Sequence, residues 1–348
     1  MINRKRLLNL LSIPTPSGYE TAGADLFKQE LSECCKFETI DNVGNCIMST
    51  GKDDAPIKVM ISAHIDEIGM MVQNIDEKGF IHFIADGGVD PKVLPGARVT
   101  IFGKNGIIPG VIGKAPIHVE HHSEDKDNAI KIKDMKIDIG VDTKEEASKW
   151  VSVGDTILVD CMPVELGDNR VTGRGLDDKA GVFVVTEVMK ELHRHSLRNV
   201  KVYAVACTQE ETSASGAVIS GSNINPDYSI DFDVTFATDD EHVSPNEWGD
   251  IKLGKGGAIA HGVDCNPALT RMIKSVCETH EIPYQEFVVP SGCTDTIYIK
   301  QSSSNAQTAL LSIPNRNMHT HAEVCDYRDL QSLVDMTVAT ILKIDSDS

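Results

Sequence analysis

No stretch of this 348-residue chain runs apolar for the roughly 18 residues that a membrane-spanning helix requires. The opening, "MINRKRLLNLLSIPTPSGYE", has a basic patch and an apolar run too short and broken for a secretory leader. It predicts an amphipathic helix that ends before Pro14. Positive charge is scarce: 33 lysines and arginines stand against 52 acids, a net charge of -19. Phosphate recognition needs a basic surface, so the charge argues against nucleic acid as a partner and against anionic membranes. No C-x-x-C pair occurs, and the nine cysteines are scattered and odd in number. That excludes a disulfide or zinc-finger framework and predicts reduced thiols in a cytoplasmic protein. Internal repeats and low-complexity tracts are absent too. What is left is an ordinary globular composition, 41% hydrophobic and 24% charged, in a chain long enough for a large core and two domains.

The pattern along the chain changes twice. Residues 1–70 go helix, helix, strand. "GYETAGADLFKQELSEC" has helical spacing, and "GNCIMSTG" is a strand with its turn. "IKVMISAHIDEIGMMV" is apolar until it meets polar residues at Ala63–His64, as a buried central strand does at its end. Residues 71–165 carry short β-type runs between Gly, Asp and Asn turns, a spacing that predicts an inserted small barrel or sandwich. His121 and His122, in "EHHSEDKDNAIKIKDMK", read as solvated loop residues. From 166 to 348 strands and helices alternate again. The expected fold is α/β: a mixed central sheet flanked by helices, formed by 1–70 and 166–348, with a β-barrel-like insert at 71–165.

The polar ends of the apolar runs carry the chemistry. Strands end in His64 and Asp66, in Glu210 and Glu211, in Asp233, and in His319 and His321; Asp177 and Asp178 stand side by side at the mouth of a helix in "GRGLDDKAG". In open α/β sheets, ligands bind beyond the carboxyl ends of the strands, so these side chains converge on one edge. Taken singly, each has an ordinary explanation. His64 fits a satisfied core histidine, "QEE" a solvated helix start, and the aspartate pair a helix cap. Taken together, so many acids and imidazoles repel one another unless a cation neutralises them. Histidine with carboxylate suits zinc, cobalt or manganese. The ligands are too many for one tetrahedral zinc, and two metals sharing a bridging carboxylate fit the count. Asp66, two residues beyond His64, would share its side of a strand and orient the imidazole.

The motifs "AHIDEIG", "GLDDKAG", "TQEE", "FDVTFATD", "PSGCTDT" and "IPNRNMHTHAEV" resemble the cytoplasmic dinuclear-metal aminopeptidases that form tetrahedral particles, a group that includes glutamyl and deblocking aminopeptidases and some proteins once labelled cellulase M. "PGVIGKAPIH" and "IDIGVDTKEEA" extend the resemblance into the insert, so it covers nearly the whole chain. It implies a zinc-exopeptidase type of sheet and two divalent ions per subunit, zinc first, with cobalt or manganese as alternatives. It further implies His64 as ligand of one ion with Asp66 behind it, Asp177 as bridge, Glu211 and Asp233 as terminal ligands on separate ions, His319 completing the second, and Glu210 as general base. The bond after the bridging aspartate is implied to be cis. The insert, which offers no residue to this ligand set, is expected to make subunit contacts, with dimers building a twelve-subunit particle. Two positions depart from the family: Cys293 stands where glycine is usual before "TD", beside Asp295, and "HT" replaces "HS", followed by His321.

The resemblance implies removal of N-terminal residues from short peptides by a metal-activated water. Glu210 would take the water's proton and pass it to the leaving amine. An acidic substrate side chain would need a cation in its pocket, for which Lys255 in "KLGKGG" is a candidate; otherwise an aliphatic or broad preference is expected. A di-metal amidase or deacylase would share every ligand. An endoglucanase needs two carboxylates about a sugar bond and no histidine cluster, so the histidines speak against it.

Overall fold

In a computed structural model, residues 2–116, 118 and 131–347 are described. His121 and His122 lie outside them. The chain divides into two compact units: Met1–Glu67 with Pro163–Met318 and Ala322–Ser348, and Ile68–Met162 with His319–His321.

The larger unit is built on an eight-stranded mixed sheet, as the sequence predicts. Its strands lie in the order Lys36–Ile40, Cys46–Gly51, Val200–Cys207, Ile57–His64, Tyr228–Phe236, Gln307–Asn315, Gly257–His261, Tyr284–Val288. The four in the middle run parallel. Such strands are covered on both faces and so read as unbroken apolar runs rather than alternating ones. Ile61, Val202, Ile230 and Leu311 are buried accordingly. The helix Leu176–Leu192 packs on this core with Phe183, Val184, Val185, Val188 and Met189, all buried. The edge strand Lys36–Ile40 is exposed along most of its length and charged, which discourages pairing with another chain. A separate three-stranded sheet, Val164–Leu166, Arg170–Gly173 and Glu323–Asp326, leads into the helix at Leu176.

The smaller unit is a closed barrel of six strands: Gly69–Ile75, Ile81–Asp86, Ile137–Asp138, Gly106–Ile112, Arg98–Gly103 and Thr156–Val159. Closure leaves no open sheet edge. Phe83, Ile101, Ile137 and Ile157 fill it. Gly110 is required where strands come close, since a Cβ there would stand 2.5 Å from the Ile137 side chain. Among the described residues no helix is long and apolar enough to cross a membrane.

Candidate metal centre

The parallel register brings the first three groups together. Cys207 is level with His64, and Asp231 with Ser62. Two residues further along the same strand, Asp233 comes level with His64. Asp233 therefore lies inside its strand, not at its end as the sequence suggests, and the strand runs on to Phe236. Asp177 arrives from the opposite direction, at the entrance of the helix Leu176–Leu192. That entrance is not a regular helical turn: Asp177 and Asp178 have non-helical backbone angles, and the bond between them is cis. The backbone N–H of Asp177 donates to Glu323 Oε2 at 3.1 Å, which fixes the turn. Asp178 turns inward, where its carboxylate accepts the Gly181 N–H at 3.0 Å. A Cβ on Gly181 would collide with that carboxylate.

His64, Asp177 and Asp233 are buried and offer ligand atoms within 4.8 Å of one another. His64 Nδ1 donates to the Asp66 carbonyl at 3.1 Å. Its Nε2 faces Asp177 Oδ1 at 3.0 Å. Two acceptors at this distance repel unless a proton or a metal ion lies between them. Nitrogen and oxygen on one zinc, each ~2.1 Å from it, sit ~3.4 Å apart in a tetrahedron, so the separation is close to that of shared ligands. The electrostatics agree. Burial, then Asp177 and Glu210, pushes the Asp233 carboxyl well above the usual carboxylate range. Burial also raises Asp178, and Asp177 adds to it. Burial works against charge on His64, but its bonds to Asp177 and Asp66 prevail and hold the imidazole above its ordinary value. A cavity of acids that cannot all ionise is a cavity made for a cation, and the donor set fits a divalent ion with His and carboxylate ligands.

Glu210 and Glu211 sit on the turn after the strand Val200–Cys207. Asp66 holds both: its Oδ1 accepts the Glu210 N–H at 3.0 Å and its Oδ2 the Glu211 N–H at 3.1 Å. Asp66 thus does more than stand behind His64, from whose Nδ1 its Oδ1 is 3.5 Å. It fixes the loop that bears the two glutamates. Glu20 holds the preceding Gln209 N–H at 3.2 Å, in a backbone that turns left-handed at Gln209 (φ 61°). Burial, with Asp66 adding, raises Glu20 to about 7. Glu211 offers an oxygen within 4.8 Å of Asp177. Glu210 Oε2 lies 3.9 Å from His64 Nε2, with 16% of its side chain exposed. It reaches the centre yet keeps contact with solvent, as a proton acceptor requires.

His319 belongs to the smaller unit, where its Nδ1 donates to the Gly88 carbonyl at 3.0 Å. That bond leaves the lone pair on Nε2, the state in which histidine binds metal. Asp295 is buried at the start of the helix Asp295–Ser302, and neither carboxylate oxygen has a hydrogen-bond partner among the described residues. Burial, then Glu210, raises its carboxyl well above the ordinary value. Cys293, two residues before it, is exposed. Lys255 is exposed in a turn and makes no ion pair or hydrogen bond among the described residues. The turn is tied down by Asp329, whose oxygens accept the Gly254 and Gly256 N–H groups, both at 2.7 Å.

Sequence reasoning missed the layer beneath the ligands. Lys179 is fully buried one turn into the helix and pairs with Glu67 at 2.7 Å, also donating to the Ile13 carbonyl. Arg174 holds the other Glu67 oxygen. Burial raises Glu67, but Lys179 and Arg174 prevail and bring it down to about 2; burial lowers Lys179 to about 8 against the pull of Glu67. Gly175, at φ 65°, is where the chain passes this ion pair; a Cβ there would meet Glu67 at 2.8 Å. The signal was present as charges within apolar motifs, "IDEIG" and "DDKAG".

A mixed α/β sheet with buried histidine and carboxylates gathered beyond its parallel strands defines a metal-dependent hydrolase. The chain belongs to the M42 glutamyl aminopeptidase family, whose sequence model matches residues 44–336. It is an aminopeptidase. It is similar to a lysyl aminopeptidase of Pyrococcus furiosus, 32% identical, with 98% of this chain and 97% of that one aligned. In structure it resembles an aminopeptidase from the archaeon Desulfurococcus kamchatkensis, at TM-score 0.89, 33% identity, and coverage of 97% and 93%. A Pyrococcus horikoshii TET1 peptidase that can assemble into a tetrahedron or a large octahedral shell matches at TM-score 0.86 and 31% identity, over 97% and 98%.

Proposed function

We propose that this chain removes single residues from the free N-termini of short peptides, using two divalent ions per subunit. His64, Asp177 and Asp233 would hold one ion; Asp177, Glu211 and His319 would hold the other, with Asp177 as the bridge. The observation that carries this reading is His64 Nε2 facing Asp177 Oδ1 at 3.0 Å inside a buried acidic cavity, a contact that a cation resolves. Divalent ions held there supply Lewis acidity, which eases loss of a proton from water and polarises a peptide carbonyl. The chain's own residues do the rest. Glu210, kept on its loop by Asp66, accepts the water's proton at Oε2 and delivers it to the amine that leaves. Glu211 faces Asp177, which suits a ligand rather than the base. Buried acids near Glu210, Asp295 among them, favour a substrate that brings an α-ammonium group.

Zinc fits the donor set, as do cobalt and manganese. Exposure of Lys255 supports an aliphatic or broad side-chain preference over an acidic one. The scarcity of basic residues and the scattered thiols support a cytoplasmic protein. The assembly of its TET1 relative into a tetrahedron or a shell supports a homo-oligomeric particle; in this reading dimers build to a dodecamer and the 71–165 insert makes subunit contacts.

The test is hydrolysis of leucyl, lysyl and glutamyl reporters, with N-acetylated versions beside them, before and after chelation. Activity should fall to background with chelator and return with divalent metal, and acetylated reporters should stay intact. Rapid cleavage of acetylated or internal bonds would make the enzyme an amidase or endopeptidase instead. Activity indifferent to chelator would remove the metal from the chemistry.

A further inference from the structure

The chain carries another pair of metal-type side chains away from this centre. Cys34 and Cys35 occupy the turn between the helix Thr21–Leu31 and the edge strand Lys36–Ile40. Both are half-buried, and their sulfurs stand 3.6 Å apart. Adjacent residues are poorly placed for a disulfide. Their Cα atoms lie ~3.8 Å apart across a trans peptide, whereas bridged cysteines need ~4.4–6.8 Å, and the sulfurs would have to close to ~2.05 Å. The spacing suits something else. Two thiolates on one tetrahedral ion, each ~2.3 Å from it, lie ~3.8 Å apart. The pair is already set at nearly that span.

The charges are arranged to match. The hydrogen bond with Cys35 lowers the Cys34 thiol to about 6 against the effect of burial, and Lys190, His193 and Arg6 lower it further. The same bond, with burial, raises Cys35. The nearby cations are themselves matched: Arg6 pairs with Glu30 and Glu187, and Lys190 with Glu30.

We propose that Cys34 and Cys35 together chelate one soft divalent cation of the zinc–cadmium class, independently of the aminopeptidase centre. On binding, both sulfurs act as thiolates: any S–H bond still intact breaks, two sulfur–metal bonds form, and each proton released passes to solvent; no electrons change hands. Water completes the coordination. The ion would tie the end of the helix Thr21–Leu31 to the start of the edge strand.

The experiment is cadmium titration of the full-length protein preloaded with manganese, which suits carboxylate and imidazole rather than thiolate ligands, followed by ultraviolet absorption. Thiolate ligation to cadmium gives a charge-transfer band that imidazole and carboxylate ligands do not. One saturable step is expected, with about one ion per chain. Cys34→Ser and Cys35→Ser should each abolish it, whereas Cys293→Ser should leave it intact. A band that survives either of the first two variants, or no band in the wild type, would overturn the proposal. Alkylation of unaltered protein guards against misfolded variants: cadmium should slow labelling of Cys34 and Cys35 at least tenfold, and unchanged labelling would refute the site. Neither readout depends on peptide hydrolysis.

Discussion

At the scale of single residues, the centre separates two adjacent glutamates by what their neighbours do. Asp66 accepts both backbone N–H groups, so the loop cannot move one glutamate without the other. Glu210→Gln keeps size and backbone bonds but cannot accept a proton. We expect it to retain bound metal, measured by elemental analysis, and to lose on the order of 10²–10⁴-fold in kcat. Turnover within a few-fold of wild type would mean that another group is the base. Beneath the ligands, Lys179→Met would leave Glu67 buried with Arg174 alone. Breaking a buried pair by removing one partner costs about 3–5 kcal/mol, so denaturant midpoints should fall sharply. A loss under 1 kcal/mol would show that Arg174 suffices. The residues proposed as ligands stood out in the sequence because histidines and acids lie where apolar runs turn polar. The support beneath them was not. Lys179 and Glu67 lie 112 positions apart, and their pairing depends on how the helix entrance packs against the strand exit. The adjacent cysteines were in plain view but counted among scattered thiols, because only their turn sets the sulfurs at a chelating distance.

At the scale of elements, periodicity and apolar runs located the central strands and long helices, since buried parallel strands have no alternation to confuse with anything else. They did not locate the end of the strand Tyr228–Phe236. Aspartate in a run looks like its terminus, yet Asp231 is buried mid-strand because Ser62 and Ser229 donate to it at 2.5 and 2.7 Å. Another buried acid yields a test at this scale. Asp329, in the first turn of the helix Tyr327–Asp347, anchors the Gly254–Gly256 turn, and burial raises its carboxyl to about 7. The folded state thus holds a proton that the unfolded chain has already given up. For an acid raised in this way, stability is fully present below the unfolded pKa and falls as pH rises through the folded one. Asp329→Asn removes the titration and keeps one acceptor. The thermal midpoint of the variant should therefore gain on wild type between about pH 4 and about pH 7 and run level above that. Parallel curves over that range would place the Asp329 carboxyl near its ordinary value.

At the scale of the whole molecule, the smaller unit leaves large apolar side chains in water. Ile107 is 70% exposed, Val153 68% and Trp150 47%. A Cβ on Gly103 would stand 2.3 Å from the Trp150 carbonyl, and Gly103 pairs with Gly106, next to Ile107. Ile107 and Trp150 therefore belong to one end of the barrel. Single exposed hydrophobics are common, but large ones gathered at one end are what a surface used for contacts would present. The sequence supplied the insert as a β-rich segment without metal ligands, and the structure gives it a core of its own, which subunit contacts can use without disturbing the sheet that carries His64 and Asp233. If the insert joins copies of the chain, light scattering should report a mass that is a multiple of 37.9 kDa, toward twelve copies. Ile107→Asp combined with Trp150→Ala should lower that mass, because a charge in a desolvated contact is costly and lost aromatic area is not replaced. Hydrolysis of a single-residue reporter should change only a few-fold, since neither side chain is in the ligand set. A wild type that runs as a clean monomer at micromolar concentration would refute the assembly. A double variant with unchanged mass would move the contact to another face of the insert or to the larger unit.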